Sequence, residues 1–248
     1  MTENCRQILE LLNCKYELFE NQENDIPLIN QFNEWTLQGK KAGFYPLIIV
    51  PSDVLTDAID LAFEDMELQV TPENFRLLRK QILEEADHIE PEYFLADRLN
   101  EYSDMYKDEE LLGSFMDTKP SHCFYSYMED GQLAPEVILA QIPADHPWEL
   151  AAWIPMGGFN DCPSPAAQVA VFKKWHHTYG AIPTVVTYDN WELELQQPPS
   201  TEDDALDLAK EHFAFSSDNV TQAAKGFASL RGLASSLKNS TTWFFWWD

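Results

Sequence analysis

Apolar side chains recur along this chain at two spacings, three to four residues and two, and each change of spacing marks an element boundary. Ile8, Leu9, Leu11 and Leu12 predict a helix over Cys5 to Leu12, and Tyr16 to Phe19 a short strand before the polar loop Glu20 to Asp25. Leu28, Phe32 and Trp35 predict a helix over Ile26 to Gln38, and the unbroken run from Phe44 to Val50 a buried strand. Three helices should follow. Ser52 caps the first, whose stripe is Leu55, Ile59, Ala62 and Met66; Thr71-Pro72-Glu73 starts the second, with Phe75, Leu78, Ile82 and Leu83 inside; Pro91 opens the third, with Phe94, Leu95, Leu99 and Tyr102.

Further on, Ser121 to Met128 and Glu136 to Ile142 alternate like strands on either side of Glu129-Asp130-Gly131, which predicts a hairpin. The run Leu150 to Ile154 is expected to be a strand that ends at Pro155 and turns at Gly157-Gly158. Ser164 and Pro165 start a helix carrying Val169, Phe172, Trp175 (or His176) and Tyr179 on one face, and Gly180 closes it. Strands are expected at Ile182 to Tyr188 and Trp191 to Leu195, and helices from Glu202 through His212 and from Thr221 to Leu237. The closing Trp243-Phe244-Phe245-Trp246-Trp247 is an aromatic strand that must be buried or paired. Phe32-x-x-Trp35 before Gly43-x-x-Pro46 is echoed by Phe172-x-x-Trp175 before Gly180-x-x-Pro183, two similar helix-then-strand units.

These elements imply an α/β protein, with α+β as the alternative, built on a mixed sheet flanked by helices. Residues 1–140 form an acidic N-terminal part with a helical insertion at about 52–112, and residues 141–248 a C-terminal α/β domain packed with it as one unit.

Charge changes the picture more than composition does. Over 248 residues there are 42 acidic and 16 basic side chains, a net of −26. Residues 1–140 hold 29 acidic against 10 basic (net −19), and residues 141–248 hold 13 against 6 (net −7). Direct nucleic-acid binding and anionic membranes are disfavoured by this sign, whereas a basic protein partner would be drawn in. The insertion concentrates the acids: Asp53, Asp57, Asp60, Glu64 and Glu67 at helical spacing, then Glu84 and Glu85, then Asp104 and the run Asp108 to Glu110. Like charges at i,i+4 repel, so such a stripe is a poor choice for a purely structural helix. Nothing reads as a membrane span or a signal peptide, which makes the cytoplasm the expected compartment. Cys5, Cys14, Cys123 and Cys162 lack any CxxC spacing, and no HExxH, GxGxxG or GKS/T motif is present, so neither metal nor cofactor is expected.

Catalysis would have to centre on Asn160, Asp161, Cys162, Asp189 and Glu192, with His176 or His177 as the base for a thiol nucleophile. The competing reading makes the glycine turn structural, with Asn160 fixed by side-chain to backbone bonds. Acidity, tryptophan content and the missing motifs favour a non-catalytic interaction protein, for example an immunity protein neutralising a basic nuclease-type toxin. A small-molecule hydrolase is the alternative.

GGFNDCPSP (Gly157 to Pro165), WHHTYGA (Trp175 to Ala181), Asp189 with Glu192, LAKEHFAF (Leu208 to Phe215) with Asp218 and Gln222, and the terminal WFFWWD stand in an order that resembles a bacterial family, domain of unknown function 4253. The resemblance covers about residues 153–248 and implies no activity. Ser216-Ser217-Asp218 occupies a place where members often carry Cys-Pro-Asp, so a thiol there is dispensable.

Overall fold

The computed structural model describes residues 1–105, 111–224 and 226–248, and the side chains of all of these except 103–105. Its strands are β1 (Tyr16–Glu20), β2 (Tyr45–Ile49), β3 (Met128–Glu129), β4 (Gln132–Leu133), β5 (Glu136–Ile142), β6 (Ile182–Val186), β7 (Asn190–Glu194) and β8 (Thr242–Trp246). Six of them make one mixed sheet in the order β1-β5-β2-β6-β7-β8, in which β2 and β6 are parallel and every other pair is antiparallel. The expected α/β architecture is therefore the one observed.

Strand alternation sends side chains to two different layers. Leu47, Ile49, Ile138, Ala140, Val186, Trp191, Leu193, Trp243 and Phe245 face the larger layer of helices. These are α1 (Glu3–Leu12), α3 (Asp53–Glu64), α4 (Pro72–Ala86), α5 (Pro91–Met105), α6 (Leu150–Trp153), α7 (Pro165–Tyr179), α8 (Glu202–Phe215), α9 (Asp218–Thr221) and α10 (Leu230–Leu237). The opposite face, with Ile48, Val137, Leu139 and Val185, is covered by α2 (Ile26–Ala42) and by the segment from Phe124 to Ala134. The echoed units α2–β2 and α7–β6 supply the parallel pair, but their helices lie on opposite faces of the sheet. Shared packing needs, not a translated copy, account for the echo.

The cap chemistry is realised in side-chain bonds: Ser52, Thr71, Ser164 and Thr201 each accept from a backbone amide three residues on. Gly43 and Gly180 end α2 and α7 in the left-handed region.

Three expectations are corrected. The run at 150–154 is the short helix α6, entered through a turn of 3-10 helix at Pro147–Glu149, not a strand; five consecutive apolar residues suit a buried helix as well as a strand. The hairpin around Asp130-Gly131 shrinks to two residues per arm, because β5 pairs with β1 and β2; Ser121 to Tyr125 forms no strand, and Ser126-Tyr127 is a turn closed by Met128 N on Tyr125 O at 2.9 Å. The helix expected over Thr221–Leu237 is confined to α10, Leu230–Leu237, and α9 ends where it should have begun, at Thr221. Strand β8 is an edge strand paired on one side. Its outer carbonyls are closed by side chains, Asn219 Nδ2 to Phe244 O at 2.7 Å and Ser216 Oγ to Trp246 O at 2.7 Å.

At the centre of the larger layer His212 lies among Trp175, Trp243 and Phe245, with ring centroids 4.6–5.1 Å away, and its Nε2 has no partner among the described residues. Burial lowers its pKa to about 3. An unfolded imidazole takes its proton near pH 6.5, so below that value the unfolded state gains a proton that the folded state refuses. Stability from this residue is thus complete at neutral pH and falls as pH drops towards the folded value, by up to about 1.4 kcal/mol per unit. In His212→Leu this slope should be missing, which urea midpoints of the two proteins between about pH 7 and pH 5 will show.

Candidate functional site

The loop Gly157 to Ser164 is shaped by its own backbone and by one glutamine. Gly157 (φ 117°), Gly158 (φ 77°) and Asn160 (φ 44°) take positive φ, and Cys162 N donates to Phe159 O at 2.8 Å. Gln168, fully buried on the first turn of α7, donates from Nε2 to Met156 O at 2.8 Å and Pro163 O at 2.9 Å, while its Oε1 accepts from the Trp191 indole at 2.8 Å. The loop is thereby fixed to both its helix and β7.

Within this frame the five candidate residues have separate employments. Asn160 donates from its side chain to the backbone oxygen of Asp248; the tie is long-range rather than the local turn bond expected. Asp161 is exposed, and its carbonyl accepts from Arg98 Nη2 at 2.6 Å. Cys162 is buried, and burial pushes its thiol far above the usual range. Its thiol lies 3.7 Å from Gln168 Nε2 on the first turn of α7, whereas its proposed bases stand in the last turn, about 12 Å further along the axis at 1.5 Å per residue; His176 binds Ala181 O at 3.0 Å and both histidines pack on Trp148. Asp189 accepts from Thr187 Oγ1 at 2.8 Å and from the Trp246 indole at 3.0 Å, which pins the β6–β7 turn to β8.

Glu192 points to the opposite face of the sheet from Trp191. Its two oxygens accept three bonds from the amides of Tyr125 and Ser126 at 2.9–3.1 Å. Burial raises its pKa while these amides oppose the rise. The carboxylate is an anchor for the turn at Tyr125 to Tyr127. No nucleophile–base pair is assembled from the five. Among the described residues no three His, Cys, Asp or Glu side chains come together as a metal ion would require.

The structure does join residues that sequence reasoning left apart. Asp218 accepts from Asp248 N at 3.0 Å and from Gln222 Nε2 at 3.1 Å, so Asn160, Asp218, Gln222 and Asp248 form one polar knot at the end of β8. Arg98 bonds Ala214 O at 2.7 Å as well as Tyr102 and Asp161, linking α5 to α8 and the glycine loop. Nothing in the sequence marks it, since one arginine on an acidic helix reads as surface. Beside β8 a groove of about 520 Å³ is lined by Tyr125, Glu192, Asp218, Gln222, Phe244 and Trp246 among others.

The acidic stripe lies on the outer side of the helical layer. Asp53 takes the Asn4 amide, and Asp60 takes Gln7 Nε2 at 2.6 Å. Asp57, Glu64 and Glu67 are exposed, and their side chains make neither ion pair nor hydrogen bond among the described residues. Burial raises the pKa of Asp60, with Asp57 and Glu64 adding to the rise, so the stripe repels itself. Glu84 pairs with Lys80 at 3.3 Å and Glu85 accepts from Gln81 at 3.1 Å. The side chain of Asp104 and the run Asp108 to Glu110 lie outside the described residues. Val54 and Leu61, two turns apart on α3, and Leu77 on α4 are each more than half exposed between these acids.

Fold and site together define an α/β protein whose aromatic edge strand is tied in by motif residues and whose outer helices carry an acidic face. Residues 138–248, the C-terminal part of the chain, match the family described as Domain of unknown function (DUF4253). No curated protein and no solved structure matches the chain. The matched segment begins inside β5, whose partners β1 and β2 both precede it, and β2 fills the place between β5 and β6. Among the described residues no helix is long and apolar enough to cross a membrane.

Proposed function

We propose that the chain is a non-catalytic interaction protein whose α3–α4 face receives a basic protein, and that it acts as an immunity protein against a nuclease-type toxin in the cytoplasm. The observation that carries this reading is α3 itself, which has four carboxylates, no cation, and Val54 and Leu61 exposed between them. Self-repelling charge lowers the stability of the free protein and is relieved when cations arrive. Exposed apolar side chains ringed by charge are what a specific interface buries.

The test uses a basic protein encoded beside this chain and the triple variant Asp57→Lys, Asp60→Lys, Glu64→Lys. Association should slow by about 10-fold or more, and the steep fall of affinity with salt should flatten. Unchanged rates and an unchanged salt dependence in the variant would sink the reading. Circular dichroism checks that the variant is folded.

A further inference from the structure

Cations are scarce here, and many are engaged: Lys173 with Asp87, Lys174 with Glu211, Lys210 with Asp207, and Arg98 with backbone carbonyls. Arg76 and Arg79 differ. They stand three residues apart on α4 and so share a side of it, yet neither side chain makes an ion pair or hydrogen bond among the described residues. In a chain with 42 acidic residues, a pair of arginines with no carboxylate in direct ion-pair contact is a selective arrangement.

Both arginines line a cleft of about 320 Å³ between α1 and α4, with Leu12, Asn13, Pro143 and Trp153 among its other walls. The Arg79 guanidinium lies 3.4 Å from the centre of the Trp153 ring and 5.0 Å from that of Phe75, so aromatic stacking sets its plane. Its Nε is buried and has no acceptor. A guanidinium offers five N–H donors in a rigid fork matched to a carboxylate or phosphate, and here the fork is held in place with its donors unused. Burial and, after it, the neighbouring Arg76 bring the pKa of Arg79 down to about 10, and the Glu149 carboxylate, which forms no ion pair with it, only partly opposes the fall.

We propose that this cleft binds a small organic anion, its carboxylate or phosphate head between Arg76 and Arg79 and its apolar stem against Leu12, Pro143 and Trp153. The net charge of −26 repels anions in general, so adsorption without a site is weak and a local match has to supply the affinity. The ligand is opposite in charge to the protein partner proposed for α3, and the cleft stands independently of that partner.

Calorimetric titration of the full chain with benzoate, phenyl phosphate and inorganic phosphate tests the site. One or both organic probes should bind saturably at one site, with a dissociation constant on the order of a millimolar or tighter. Either head group supports the proposal, and the preference between them identifies the chemistry of the head. Arg76→Gln, at an exposed position, should weaken binding about 10-fold or more while leaving the fold intact. Arg79→Lys should weaken it similarly, because a point charge cannot reproduce the fork. Absence of saturable binding by both organic probes at about 10 mM, or equal binding by Arg76→Gln, would overturn the proposal. Equal affinity for inorganic phosphate would overturn the stem assignment.

Discussion

Replacing Trp175 with alanine should lower the free energy of unfolding by about 3–5 kcal/mol, the range for truncating a large buried aromatic residue. The indole is fully buried, stacked on Phe245 at 5.1 Å and 7° between planes, and set edge-on to Trp243 and Phe215. It also donates to Glu211 Oε2 at 2.7 Å, a carboxylate that Lys174 shares. Truncation therefore opens a cavity at the meeting point of α7, α8 and β8 and removes a charge-assisted hydrogen bond. Urea unfolding followed by far-ultraviolet circular dichroism measures the loss. Tyr93→Ala, at a side chain 74% exposed, should change stability by no more than about 0.5 kcal/mol. Equal effects at the two positions would mean that the aromatic cluster does not hold the layers together.

The second large effect is expected at Gly157, where alanine should cost about 3 kcal/mol or more, against about 1 kcal/mol at Gly158. Both glycines have positive φ, so strain alone does not separate them. A Cβ on Gly157 would lie 2.3 Å from Gln168 Nε2 and 2.3 Å from Pro163 O, whereas one on Gly158 meets nothing within 4 Å. Gly157→Ala must push the Gln168 amide out of its bonds with Met156 and Pro163, and Trp191 loses its acceptor with it. Thermal midpoints of the two variants give the comparison. The Trp191 indole proton resonance should move in Gly157→Ala and stay in place in Gly158→Ala.

This pair of glycines also shows how much of the candidate site could be read from sequence. Gly-Gly followed by Ser164-Pro165 marks a turn entering a helix, and that much is local chemistry. That Gln168 occupies the space beside one glycine and none is needed beside the other depends on where β7 places Trp191. The five candidate residues have the right chemical types for a reaction. Sequence proximity grouped Asn160 with Asp161 and Cys162, but the fold uses their side chains or carbonyls for three separate contacts. Glu192 stands three residues after Asp189, and strand alternation carries it to the other face of the sheet.

Sequence alone determined the elements whose signals are local: the capped helices α3, α4, α7 and α8, the strands β2, β6 and β7, the glycine ends of α2 and α7, and the concentration of negative charge before residue 112. Each rests on interactions spanning a few residues, and so survives without knowledge of the rest of the chain. Tertiary structure decided which strand neighbours which, why the apolar run at 150–154 is helical, and which polar groups meet. It inserted β2 between β5 and β6, and it left Arg76 and Arg79 facing a cleft with no carboxylate. The physical reason is that these outcomes are settled by burial shared among segments far apart in the sequence, where the summed packing outweighs any local preference.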